Sequence, residues 1–206
     1  MILKNEKIIS YVFHPVLFAT ISALLYFIIQ PHVLPKVFVY KILAVIFIST
    51  YIIPILFLFI LKQRNSIDDF HLKTIKERKL PVLFFITITV LLAMRLIEIH
   101  VVNLLAYSFY GAALAMFMVF ILFYFKIKTS LHTLAIGGLT GFLIVISYHY
   151  KIRLLILISA LFILFGIVAY ARLSLKAHSL KEIYLGYFIG VLSQFLMYYY
   201  IPLWFY

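Results

Sequence analysis

The sequence predicts an all-α fold, a polytopic transmembrane helical bundle of about six to seven spans, from three observations. Of the 206 residues, 67% are hydrophobic and only 12% are charged, whereas a soluble domain is about half apolar and a quarter charged. The apolar residues fall in stretches of about 20, the length of a helix that crosses a bilayer. The polar stretches between them are too short for a separate soluble domain. We therefore treat residues 1–206 as a single integral membrane domain.

Proline positions set the expected shapes of the first spans. Pro31 and Pro35 end the first span, and Pro54 is expected to kink the second. Pro81 is expected to begin the third, because a proline in the first helical turn costs no hydrogen bond. The seven apolar segments are residues 10–30, 38–61, 81–98, 101–125, 131–149, 153–171 and 183–205.

Paired glycines indicate where helices approach each other closely. Gly137 with Gly141, and Gly186 with Gly190, form two G-x-x-x-G patterns in the fifth and seventh segments. Such pairs allow close contact between membrane helices. We interpret both as packing within the chain and not as a dimer interface.

The basic residues point to anionic partners at a membrane. The chain has 18 Lys and Arg against 6 acidic residues, for a net charge of +12. These bases cluster between apolar segments, so membrane lipids or a phosphate-bearing substrate are the expected partners. The sequence shows no Lys/Arg-rich tail with interleaved aromatic residues, which is the pattern typical of nucleic-acid binding. Cysteine is absent, which excludes a disulfide framework and a thiolate metal site.

Polar residues concentrate in three loops, at 62–80, 126–133 and 172–182. Two predicted spans separate each loop from the next. An even number of crossings returns a chain to the side from which it started. We therefore expect all three loops, and the N-terminus with them, to share one side of the membrane.

The third loop has a spacing suited to nucleophilic catalysis. If its end continues as a helix, His178 and Glu182 lie one turn apart on the same face. A carboxylate there holds one ring nitrogen protonated and leaves the other free to attack. Arg172 can bind two phosphate oxygens at once, and His132 in the second loop offers a general acid. Together these side chains predict phosphoryl transfer.

These loops resemble the signatures of a known family. The segment ARLSLKAHSLKE, residues 171–182, resembles the last signature of the type 2 phosphatidic acid phosphatase superfamily, which reads Ser-Arg, five residues, His, three residues, Asp. TSLHT, residues 129–133, resembles the Pro-Ser-Gly-His motif. KERKLP, residues 76–81, loosely resembles the first signature. The order along the chain is also that of the family, so the chain resembles a divergent integral-membrane member.

The resemblance implies a role for each site residue. His178 would attack phosphorus and become transiently phosphorylated, Glu182 would orient it, and His132 would protonate the leaving group. The phosphate oxygens would be held without a metal ion or other cofactor, by Arg172, Arg78 and Ser130, and by a lysine of the first loop, Lys73 or alternatively Lys76.

The motifs depart from the family pattern at several positions. Thr129 replaces proline, Leu131 replaces glycine, Ala171 replaces serine and Glu182 replaces aspartate. Leu131 matters most, because a glycine lets backbone N–H groups approach a phosphate closely. Both histidines and both arginines are kept, so the resemblance implies an active but divergent enzyme.

The expected function is hydrolysis of a phosphate monoester or pyrophosphate on a lipid, since the site adjoins the membrane. The alternatives are a catalytically inactive family member with a binding or structural role, and a small transporter. The expected location is a bacterial inner (cytoplasmic) membrane. The side that the site faces stays open, because the basic loops favour the cytoplasm whereas the resemblance favours the outer face. The sequence does not indicate an oligomeric state.

Overall fold

The computed structural model describes residues 2–68, 72 and 74–200. Within these ranges the chain is helical and contains no strand, which confirms the predicted all-α fold. A π-helical segment, Ile48–Ile52, and a short 3₁₀ turn, His100–Val102, lie between α-helices. The α-helices are α1 (Ile2–Val12), α2 (Leu17–Ile29), α3 (Lys36–Phe47), α4 (Ile53–Gln63), α5 (Ile75–Ile97), α6 (Asn103–Tyr124), α7 (Leu131–Tyr150), α8 (Leu155–Ser174) and α9 (Leu180–Tyr200).

Five helical segments of the described chain are long and apolar enough to cross a membrane, so the chain is an integral membrane protein. A sixth span results if α1 and α2 together count as one. The last predicted segment, 183–205, forms α9 up to Tyr200 but is not among the five, and its end lies outside the described residues. The five are Lys36–Gln63, Ile75–Ile97, His100–Tyr124, Leu131–Tyr150 and Leu155–Ser174.

The first predicted span is broken, so the prediction of one helix over 10–30 is wrong. α1 ends at Val12, α2 begins at Leu17, and the two meet at an angle of 56°. Pro15 explains the break, because it has no N–H and disfavours helical backbone at the residue before it. As a result α1 turns aside and packs against α8.

The third predicted span begins earlier than expected. Pro81 lies inside α5 and not at its start. A capping box at Thr74 begins the helix: the Thr74 hydroxyl accepts from the Glu77 N–H at 3.3 Å, and the Glu77 carboxylate accepts from the Thr74 N–H at 2.9 Å. This earlier start places Arg78 in the first turn of α5.

Pro54 is expected to kink the second span, and the span is disturbed there by a local change from α-helix to π-helix. The π-helical segment Ile48–Ile52 ends two residues before Pro54. Pro54 cannot donate to the carbonyl of Thr50, and a π-helical turn redistributes the bonds around such a gap. The hydroxyl of Thr50 itself donates to the Ile46 carbonyl at 2.8 Å.

The glycine pairs join α7 to α9, which confirms their predicted role within the chain. A Cβ atom on Gly137 would overlap the backbone of Tyr187, and one on Gly141 would lie 2.8 Å from the Val191 carbonyl oxygen. On α9, a Cβ atom on Gly186 would lie 2.6 Å from the Ser130 carbonyl oxygen. These two helices therefore touch along their backbones, and this contact fixes the start of α7 beside the start of α9.

Candidate active site

The three polar loops meet at one end of the bundle, as predicted. The Arg78 guanidinium donates from Nη1 to the Thr129 carbonyl at 3.0 Å, which joins the first loop to the second. The Ser130 N–H donates to the Glu182 carbonyl at 3.1 Å, which joins the second to the third. These bonds are buried and bring chain segments about 50 residues apart into one site.

Each of the three loops ends in a residue that caps the next helix. Thr74 caps α5, and the Ser130 hydroxyl accepts from the Thr133 N–H at 3.5 Å to cap α7. The Ser179 hydroxyl accepts from the Glu182 N–H at 3.4 Å at the start of α9. Three helix N-termini are thus gathered at one end, and the partial positive charge of each favours an anion there.

A cavity of about 220 Å³ opens at this end. Its polar part is formed by four predicted site residues together with two residues from the end of α1. Its remaining wall is apolar and extends between the helices to the buried amide of Gln194. The residues of the polar part are Arg78, His132, Arg172, His178, Ser10 and His14, and the cavity is also lined by Tyr11, Ser22, Ser108 and Gln194.

His178 and Glu182 form the predicted pair. Nδ1 of His178 lies 2.7 Å from Oε2 of Glu182. Because a carboxylate accepts, Nδ1 bears the hydrogen and Nε2 keeps its lone pair. Burial lowers the pKa of His178 to about 2, with further lowering by nearby positive charges. These charges belong to Arg78, Arg172 and Lys128, and His132 adds to the effect when it is protonated.

Two buried arginines supply most of the positive charge. Arg78 is 4% exposed and donates from Nε to the Leu72 carbonyl at 2.7 Å, as well as to the second loop. Arg172 donates from Nη1 to the Ser10 hydroxyl at 3.2 Å, and its Nε is buried without a hydrogen-bond partner. The two guanidinium groups repel each other. An oxyanion in the cavity would relieve the repulsion and satisfy the unpaired donor.

Lys128 is a further cation of the site that the motif assignment did not include. Its Nζ donates to the Ala177 carbonyl at 3.1 Å and so ties the second loop to the third. Burial lowers its pKa, and the charges of Arg78 and Arg172 lower it further against the opposing effect of Glu182. Its position in the second polar loop was a visible signal, although no motif assigned it a role.

One predicted phosphate-binding residue, Ser130, does not reach the cavity in this structure. Ser130 is 0% exposed, does not line the cavity, and uses its hydroxyl to cap α7. Lys73 lies outside the described residues. Leu131, at the position of the family glycine, places its side chain in the cavity wall.

The end of α1 and the turn that follows it contribute Ser10 and His14, to which no sequence motif points. Nε2 of His132 lies 3.1 Å from the carbonyl oxygen of Ser10. The ring of His14 meets that of His132 edge to face, with centroids 5.9 Å apart. The predicted return of the N-terminus to this side was the only available signal. Across the described residues, no group of three or more His, Asp or Glu side chains is placed to hold a metal ion.

Comparison of the chain with protein-family models, with curated proteins and with solved structures found no match.

Proposed function

We propose that the protein is a membrane lipid phosphatase that hydrolyses a phosphate monoester or pyrophosphate on a lipid through a phosphohistidine intermediate. The observation that supports this most is the His178–Glu182 pair at 2.7 Å, in which His178 is buried beside the charges of Arg78, Arg172 and Lys128. An imidazole that is kept neutral among cations is a nucleophile next to an anion-binding site. We also propose that the membrane is a bacterial inner (cytoplasmic) membrane.

The reaction follows from the two histidines. Nε2 of His178 attacks phosphorus, a P–N bond forms, and the bond from phosphorus to the leaving oxygen breaks. His132, which takes up a second proton from solvent when the phosphate binds, donates a proton to that oxygen, which leaves as a lipid alcohol or, from a pyrophosphate, as a lipid phosphate. Water then attacks the phosphohistidine while His132 takes its proton, and the P–N bond breaks to release inorganic phosphate and neutral His178.

Arginine and lysine side chains would balance the charge of the transferring phosphoryl group. Phosphoryl transfer depends largely on positioning and on neutralising the charge of the equatorial oxygens. Arg172 has an unpaired Nε for this purpose, and Lys128 and the start of α9 add positive charge beside it. The proposal requires no metal ion and no other cofactor.

The shape of the cavity favours a lipid over a soluble phosphate ester. Away from the polar end, the walls of the cavity are mainly apolar and are formed by helices that are long enough to cross a membrane. A volume of about 220 Å³ is below that of pockets for drug-sized ligands, about 300–1,000 Å³. It therefore suits a phosphate with the first part of one chain, while the rest of the lipid stays in the bilayer.

Phosphate release by purified protein in lipid nanodiscs tests the proposal. The substrates are phosphatidic acid, phosphatidylglycerol phosphate, a polyprenyl pyrophosphate and a phosphorylated lipid A, each with and without a chelator. We expect release that persists with the chelator and disappears in His178→Ala. The matched control is His100→Ala, because His100 is exposed and lies near the far end of α5; it should keep wild-type activity.

Trapping of the intermediate makes the test sharper. With a substrate labelled at the terminal phosphorus, rapid acid-free quenching should leave label on His178 of the wild type and none on His178→Ala. Absence of release from all four substrates by folded protein would overturn the proposal. In that case phosphate binding without turnover would favour the alternative of an inactive family member.

A further inference from the structure

The carbonyl group of Ser10 lies where α1 ends. The last helical bond before the break runs from the Phe13 N–H to the Ile9 carbonyl at 2.9 Å. The chain then turns towards Pro15, and the helix does not continue. The Ser10 carbonyl, one residue further, points to the neighbouring α7 and accepts from Nε2 of His132 at 3.1 Å.

We propose that Ser10 is a positioning residue of the active site and that it fixes which nitrogen of His132 exchanges a proton with substrate; this rests on the function proposed above. A carbonyl oxygen can only accept, so Nε2 of His132 bears a hydrogen in this arrangement. The other nitrogen, Nδ1, is then the one that exchanges a proton. His178 and His132 therefore act through opposite ring nitrogens, Nε2 for attack and Nδ1 for proton transfer.

The side chain of Ser10 has a second partner in the same site. Its hydroxyl accepts from Nη1 of Arg172 at 3.2 Å, so one buried residue contacts both the general acid and a phosphate-binding arginine. α1 packs against α8, whose last turn contains Arg172. Loss of a hydrogen bond to a charged group, such as the Arg172 guanidinium, weakens the interaction that it supports about 10–100-fold.

Pro15 provides the means to move the Ser10 carbonyl without changing Ser10. In Pro15→Ala, residue 15 regains an N–H and His14 regains access to helical backbone. α1 can then extend, and the Ser10 carbonyl is taken by a bond within the helix. The control is Pro31→Ala, because Pro31 is exposed and lies beyond the other end of α2.

Histidine ring NMR tests the tautomer independently of turnover. Protein labelled with ¹⁵N-histidine in nanodiscs gives separate signals for Nδ1 and Nε2, and His132→Gln assigns those of His132. At neutral pH we expect Nε2–H for His132 in the wild type and in Pro31→Ala, and a substantial Nδ1–H population in Pro15→Ala. An Nδ1–H tautomer in the wild type, or no change in Pro15→Ala, would overturn the proposal.

The hydroxyl contact is tested by orthovanadate binding, which also requires no turnover. We expect Ser10→Ala to weaken vanadate affinity about tenfold, and Ser10→Thr, which keeps a hydroxyl, to restore it. Equal affinities for wild type and Ser10→Ala would show that the contact with Arg172 has no such role. Because both readouts measure the resting site, their results are separate from a failure to find a hydrolysed lipid.

Discussion

Nδ1 of His178 lies 2.7 Å from Oε2 of Glu182, and that same carboxylate oxygen accepts from the Ser179 N–H at 3.4 Å at the start of α9. Glu182 therefore orients the histidine and caps a helix at once. Since Ser179 reciprocates by accepting from the Glu182 N–H, the two residues form a capping box. The histidine is held by the rigid beginning of a helix, although His178 itself lies in a loop.

Two substitutions of Glu182 test whether its carboxylate orients the ring of His178. In Glu182→Gln the amide can present an N–H to Nδ1, which would favour the wrong tautomer of His178. We expect kcat to fall about 10²–10⁴-fold, the range for loss of a positioned acid–base partner. Glu182→Asp keeps a carboxylate on a shorter side chain and should retain more activity than Glu182→Gln. Steady-state phosphate release measures both, and equal loss in the two variants would contradict the orienting role.

The neutral His178 makes stability depend on pH. Its pKa is about 2 in the folded protein and about 6.5 in an unfolded chain. Because the folded value is lower, the unfolded state binds the proton first, and the contribution of His178 to stability is fully present only above pH 6.5. It is lost progressively as pH falls, by at most about 1.4 kcal/mol for each pH unit.

Thermal unfolding followed by circular dichroism checks this sign. Between pH 7 and pH 5, the Tm of the wild type should fall by several degrees more than that of His178→Ala. The comparison is made without phosphate, because a bound anion would stabilise the protonated imidazole. A steeper fall in His178→Ala than in the wild type would contradict the expected neutral histidine.

The sequence predicts the parts of the site that depend on the helical repeat and on whether the number of membrane crossings is even or odd. His178 and Glu182 meet because a spacing of four residues is one helical turn. The loops meet because two crossings return the chain to one end, and this holds whatever the exact helix boundaries. Arg78 and Arg172 reach the cavity for the same reason.

Other features of the fold and of the site cannot be predicted from hydropathy. The apolar character of residues 10–30 continues through the break at Pro15, so hydropathy does not distinguish these two helices from one span and does not indicate that α1 belongs to the site. Ser130 offers one hydroxyl that can bind a phosphate or cap a helix, and both uses require the same residue at the same position. The spacing of Thr74 and Glu77 matches a capping box and is a better signal for the start of α5 than Pro81, which a helix tolerates in its first turns.

Lys128 is expected to contribute to anion binding through charge. In Lys128→Met the side chain keeps its length and loses its positive charge beside Arg78 and Arg172. We expect the affinity for orthovanadate to fall about tenfold, equivalent to about 1.4 kcal/mol, the strength of a hydrogen bond to a charged group. The matched control is Lys126→Met, because Lys126 lies in the same loop and is exposed. Isothermal titration measures both, and equal weakening would indicate a general effect of net charge.

Two glycine substitutions should have opposite effects on stability, because only one of the two glycines lies in the contact between α7 and α9. In Gly137→Ala the new methyl group would overlap the Tyr187 backbone and force the helices apart, at a cost of about 1–3 kcal/mol. In Gly166→Ala, on α8, no atom lies within 4 Å of the new methyl group. That change should stabilise α8 by about 0.5–1 kcal/mol. Thermal unfolding should therefore rank Gly137→Ala below the wild type and Gly166→Ala at or above it.

The contact between α7 and α9 should also affect activity, because Ser130 and Glu182 are joined across the same interface. Gly137→Ala should lose activity at temperatures where it is still folded. Full activity there would contradict the link between this packing and the site.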